Sequence, residues 1–222
     1  MKTSLILVLM LSTWQLCARD YGLHFDDNGQ IIKPDQALLA QGLDDEKDGF
    51  RNSALKNFKQ SAEYGNHLAM SLVGFYLMQD KDYVNSLAWY KLVDLSAMPN
   101  RAYIEKLIQD LELYLSPQEL TKANQIKSEL AETYGKHPTL LRREQWKNNL
   151  QFTGTHLNGH IPSFLQIQLN SGLVVTGQDV KRQVEDFIYN YEFNLGLGEV
   201  TLDDVEVIEA DDIDSADNNN EQ

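Results

Sequence analysis

The sequence predicts an α+β chain: N-terminal helical-hairpin repeats of an α-solenoid-like kind with a capping helix over residues 49–135, then a small α+β domain with a β-hairpin over residues 136–208. Three observations carry this expectation. Apolar side chains recur at helical spacing from Leu55 to Leu130. Residues 50–65 align without gaps on residues 82–97. Leu165, Ile167 and Leu169 alternate with Gln166, Gln168 and Asn170, the period of a half-buried strand.

The first 18 residues have the pattern of a signal peptide. Lys2 gives a short positive start, Leu5 to Leu11 is unbroken apolar sequence, and Leu16-Cys17-Ala18 ends in a small residue suited to cleavage. That apolar run is far short of the ~20 residues that span a bilayer, and no later segment is long enough either. The expected location is therefore periplasmic or secreted, without stable membrane insertion. Cys17 is the only cysteine. Leu16 is bulkier than the residue a lipidated cysteine prefers before it. Cleavage after Ala18 removes the thiol, and with it any disulfide, thiolate zinc site or cysteine nucleophile.

Residues 19–48 form a lead-in with a turn at Asp26-Asp27-Asn28-Gly29 and one short helix near Asp35 to Gly42. Leu55, Phe58 and Ala62 then share a helical face that Gly65 terminates. A second helix carries Ala69, Leu72, Val73, Tyr76 and Leu77. A third starts near Asp82, presents Leu87, Tyr90 and Leu95, and breaks at Pro99-Asn100. A fourth carries Ala102, Ile104, Leu107, Ile108 and Leu111. The fifth has the clearest boundaries, with Ser116 as N-cap, Pro117 in the first turn, Glu119 completing a capping box and Gly135 at the end.

After His137 the pattern changes. Arg142, Arg143 and Lys147 form a basic step, and Asn170-Ser171-Gly172 turns the strand at 165–170 into Leu173-Val174-Val175-Thr176. Val180, Val184 and Ile188 predict a helix from Gln178 to about Ile188, followed by an extended stretch. Phe187, Tyr189, Tyr191 and Phe193 suit the core of this domain. Val200, Leu202, Val205 and Val207 predict a last strand, and residues 209–222 a disordered acidic tail.

The formal charge is −14, and ten of the 33 acids fall between Glu199 and Glu221 without a single Lys or Arg. The rest carries 23 acids against 19 basic residues. Such a chain is repelled by phosphate backbones, which argues against nucleic acid as a partner.

Within the 32-residue offset, Leu55 matches Leu87, Lys59 matches Lys91, Ala54 faces Ser86 and Phe58 faces Tyr90. The A-L-x-x-F-K-x-x-A-x-x-G run ending at Gly65, with Ala69, Val73-Gly74 and Leu77, then Asp82-Tyr83 and Ser86-Leu87-Ala88-Trp89-Tyr90-Lys91, resembles the Sel-one-like repeat. This is a helix-turn-helix relative of the tetratricopeptide repeat. The resemblance covers roughly residues 48–112, and the fifth helix resembles the capping helix of such arrays. Leu107 stands where the first unit has Gly74, and two units are fewer than the about three a stacked array usually needs.

The resemblance implies an exported protein–protein interaction or scaffold module with a concave surface and no catalysis of its own. Phe58, Trp89 and Tyr90, or their neighbours, are the candidate partner-binding residues. A second reading makes the C-terminal domain a ligand-binding or hydrolytic unit that the repeats target, using Thr155, His156 and His160; a third is a purely structural envelope protein. His156 and His160 are four apart, but Asn158-Gly159 between them opposes the helix that would make this a zinc pair. No nucleophile elbow, P-loop or dinucleotide fingerprint occurs, so no cofactor is expected. The run Asp211-Asp212-Ile213-Asp214 lacks the glycine and spaced glutamate of a calcium loop.

Overall fold

The computed structural model describes residues 22–98, 100–152 and 158–193. The signal segment, the expected strand at 200–207 and the acidic tail lie outside the described residues.

The chain opens on a small antiparallel hairpin, β1 (His24–Phe25) and β2 (Ile31–Ile32), with Phe25 opposite Ile31. Asp26 builds the turn: its Oδ1 accepts from the Asn28 N–H at 2.9 Å and the Gln30 N–H at 2.8 Å. Strands of two residues are too short to show alternation, so the sequence reveals the turn but not the strands.

Helix α1 (Pro34–Lys47) starts with Pro34 in its first turn, where a missing N–H costs nothing, and runs past the expected end at Gly42. Next come α2 (Arg51–Glu63), α3 (His67–Gln79) and α4 (Tyr83–Tyr90). Asn66 caps α3 by accepting from the Ala69 N–H, and Asp82 caps α4 by accepting from the Asn85 N–H. The third helix was expected to reach Leu95, yet α4 stops at Tyr90. Asp94 instead draws the Ser96 N–H onto its carboxylate at 2.9 Å and starts a 3-10 turn over Leu95–Ala97.

Helix α5 spans Arg101–Tyr114 and α6 Pro117–Tyr134. At the start of α6 the capping box closes reciprocally. The Glu119 N–H donates to Ser116 Oγ at 3.4 Å and the Ser116 N–H donates to Glu119 Oε2 at 2.9 Å. A further helix, α7 (Lys136–Asn149), follows directly. The sequence reading has no helix there, because Pro138 looks like a breaker. It sits in the first turn, where its missing N–H would have been unpaired anyway.

The hairpin β3 (Gln166–Gln168) and β4 (Val174–Thr176) forms as expected, with Ile167 opposite Val175. Helix α8 (Gly177–Phe193) continues through the stretch expected to be extended. Its helical geometry separates Phe187, which is buried, from Tyr189, which is exposed.

Two apolar cores result. The first joins α2 to α6 through Phe58, Met70, Val73, Tyr76, Leu87 and Tyr90. The second packs Leu150, Phe152, Val175, Val180, Val184 and Ile188 together with Ile31. The lead-in is therefore divided between them. Its helix α1 packs on α2, while its hairpin belongs to the second core. There the Ile31 N–H donates to Gln183 Oε1 at 2.7 Å, and Gln183 Nε2 returns a bond to the Gly29 carbonyl at 3.0 Å.

Arginines of α7 tie the cores together. Arg143 is buried, its Nε donates to the Tyr64 carbonyl at 2.8 Å and its Nη1 to the Phe187 carbonyl at 2.7 Å. Its guanidinium also lies 4.2 Å from the Phe187 ring centre. Arg142 Nη1 donates to the Glu63 carbonyl at 3.0 Å. These cations meet the last carbonyls of α2, the negative end of its dipole. The small basic step in the sequence is thus an internal clamp.

Candidate functional site

The structure places the three candidate partner-binding residues inside the first core. Phe58 is 0%, Trp89 4% and Tyr90 1% exposed. Phe58 meets Tyr76 edge-on, with ring centres 5.7 Å apart, and Trp89 lies 4.5 Å from the Tyr134 ring. Burial pushes the Tyr90 hydroxyl up to about 12. These side chains hold the helices together and have no free surface to offer a partner.

Their neighbours do. Helix α5 presents Tyr103 at 56%, Leu113 at 86% and Tyr114 at 71% exposure. Tyr103, Leu107, Asp110 and Tyr114 follow helical spacing along one face. That face borders a shallow groove of about 250 Å³ between the end of α3 and the start of α4, floored by Met78, Tyr83 and Leu111. Tyr83 and Tyr114 meet edge-on at 5.1 Å across it. Such a groove, apolar with one carboxylate at its edge, suits an apolar anchor from another chain. In the sequence only Leu113 lies off the Ile104–Leu107–Leu111 face, whereas Tyr114 shares the Leu107–Leu111 side, so spacing alone does not mark the groove.

A second notable group is Asp35, buried in the first turn of α1. Its Oδ2 accepts from Asn66 Nδ2 at 3.1 Å, and its backbone carbonyl accepts from Ser61 Oγ at 2.6 Å. Oδ1 has no hydrogen-bond partner among the described residues. Burial raises the carboxyl above its ordinary 3.8, with Arg143, the Asn66 bond and Lys33 pulling the other way. The folded protein then holds this proton more tightly than the unfolded chain does, so stability falls as pH rises through the folded value. Asp35→Asn is expected to flatten that part of the stability–pH curve, as read by urea unfolding at mildly acidic and at neutral pH. An unchanged curve would remove Asp35 as its source.

Of the three residues that the second reading would use in the C-terminal domain, only one is among the described residues. His160 is exposed, while Thr155 and His156 lie outside them. Among the described residues, no group of three or more His, Cys, Asp or Glu is placed to hold a metal ion, and no helix is long and apolar enough to cross a membrane. Comparison of the chain with protein-family models, with curated proteins and with solved structures gives no match.

Proposed function

We propose that the chain is an exported protein–protein interaction module of the Sel-one-like kind, whose partner docks across α5 and the groove beside it. The observation that carries this reading is the apolar groove that α5 lines with Leu107, Leu111 and the 71% exposed Tyr114, with Tyr103 exposed further along the same helical face and Leu113 exposed on the adjoining flank. Scattered surface apolar residues are ordinary, but large ones gathered on one helix beside a groove favour association.

The internal offset of 32 supports the repeat part of the reading, and it extends further back than the resemblance covers. A Cβ on Gly42 would lie 2.6 Å from the Phe58 ring, and one on Gly74, 32 residues on, would lie 3.2 Å from the Tyr90 ring. Phe58 and Tyr90 are themselves 32 apart. The inter-helix turns match too: Gly49 has φ +84° and Lys81, again 32 on, has φ +62°. Lys81 is the one non-glycine residue with positive φ among the described residues, held there by the same turn geometry that glycine adopts freely in the first unit. On this register α1–α2 and α3–α4 are the two units, and α6 covers the open side of the second.

The test uses the full chain. Wild type immobilised against the exported fraction is expected to retain a specific protein. The double variant Leu113→Glu, Tyr114→Glu should bind that protein about 30-fold more weakly, the loss of a hot spot worth about 2 kcal/mol. Because both side chains are mostly exposed, unfolding stability should stay within about 1 kcal/mol of wild type. Equal retention by both folded proteins would overturn the reading.

A further inference from the structure

The first core carries a second concavity, chemically unlike the α5 groove. It is a cleft of about 360 Å³ where the end of α4 and the following 3-10 turn face α6 and the start of α7. Three lysines from three different elements line it, Lys91, Lys127 and Lys136, against a single carboxylate, Asp94. Lys91 Nζ is partly engaged, 2.7 Å from Glu112 outside the lining. Lys127 and Lys136 are exposed, and Lys136 acts electrostatically on Asp94 across the lining. The wall between the lysines is apolar, formed by Leu92, Ala131 and Pro138. Gly135, Lys136 and Pro138 at the start of α7 form part of the lining, which puts the positive end of that helix dipole at the cleft.

A site with cationic edges and an apolar wall selects a ligand that alternates carboxylates and aliphatic groups. In a chain of net charge −14 such a local excess of lysine stands out, and the same chain contains its complement. Residues 199–214 read Glu-Val-Thr-Leu-Asp-Asp-Val-Glu-Val-Ile-Glu-Ala-Asp-Asp-Ile-Asp. We propose that this acidic–aliphatic segment of the chain itself docks in the cleft, its carboxylates on Lys127 and Lys136 and its aliphatic side chains on the Leu92–Ala131–Pro138 wall.

Helix α8 passes close to the cleft at Phe187, whose carbonyl accepts from Arg143 Nη1, while Arg143 Nε donates to the Tyr64 carbonyl, three residues before His67 in the cleft lining. The remaining six residues of α8 cover about 9 Å at 1.5 Å per residue. The five residues from Asn194 to Gly198 then reach up to about 17 Å when extended. Docking also gathers repelling carboxylates onto lysines, which suits a protein that must keep a free surface elsewhere for a partner.

The test is zero-length carbodiimide coupling of the full chain at low protein concentration, followed by peptide mapping. The expected result is intramolecular links from Lys127 and Lys136 to acids between Glu199 and Asp214, suppressed by molar salt. Links spread evenly over exposed lysines such as Lys56 and Lys106, links only between chains, or no links from the cleft would each overturn the proposal. A second readout does not depend on the lysines as reactants. In Lys127→Glu, Lys136→Glu, both surface changes, cleavage by a glutamate-specific protease within 199–214 should accelerate about tenfold as the undocked population grows. An unchanged rate in the folded variant would equally overturn it.

Discussion

Replacing Arg143 with alanine is expected to lower the stability by about 3–5 kcal/mol, the range for breaking a buried charged network from one side. The arginine is 6% exposed and bonds the carbonyls of Tyr64, at the end of α2, and Phe187, in α8, two helices that pack in different cores. Alanine leaves both carbonyls without this donor and removes the guanidinium from the Phe187 ring. It also takes away the cation that most offsets the burial of Asp35, so that carboxyl should rise further in the variant. Lysine should recover little, because an ammonium cannot reproduce a planar fork reaching two carbonyls and stacking on a ring. The measurement is urea unfolding followed by Trp89 and Trp146 fluorescence, which report on the first and second core respectively. Wild type should give one transition and Arg143→Ala two, as the clamp that couples the cores is lost. A loss below about 1 kcal/mol with a single transition would mean that the cores are coupled by other contacts.

The helices were legible wherever periodicity and punctuation agreed. Ser116, Pro117 and Glu119 mark the start of α6 because the capping box is local chemistry. The β3–β4 hairpin was legible for the same reason: alternation flanks a turn-forming triplet. Long-range organisation was hidden. Nothing near Ile31 says that its N–H will meet Gln183, 152 residues away. Helix α7 escaped notice because Arg143 occupies a core-facing position where an apolar residue would have shown the period, and because Pro138 resembles a stop. The aromatic candidates Phe58, Trp89 and Tyr90 illustrate the limit for sites. Spacing tells which residues share a face, but an apolar face serves core and partner equally well. The α5 residues were distinguishable only once Ile104 and Leu111 were seen to be buried and Leu113 and Tyr114 were not.

Phe58→Ala is expected to cost about 3–5 kcal/mol of stability, the penalty for emptying a buried aromatic site, and to leave partner affinity unchanged once the folded fraction is accounted for. Phe58 is 0% exposed, so whatever a partner touches, it is not this ring. The glycine across from it makes the prediction sharper. Gly42 lies inside α1, where alanine is ordinarily favoured by up to about 1 kcal/mol. In wild type that gain is unavailable, because a Cβ would lie 2.6 Å from Phe58 Cε1 and 2.7 Å from Cδ1, and the ring is locked between Gly42 and Tyr76. Gly42→Ala alone should therefore destabilise by about 1–3 kcal/mol through overpacking. In the Phe58→Ala background the obstruction is gone, the new methyl enters the cavity, and the same change should stabilise. Urea denaturation of the four proteins in the cycle reads this reversal of sign as a coupling energy, and additive effects would show that α1 and α2 do not meet through this pair. The corresponding cycle at Gly74 and Tyr90 should show the same sign with a smaller amplitude, since the added Cβ would sit 3.2 Å from the ring there, a distance the helices can absorb with a slight shift.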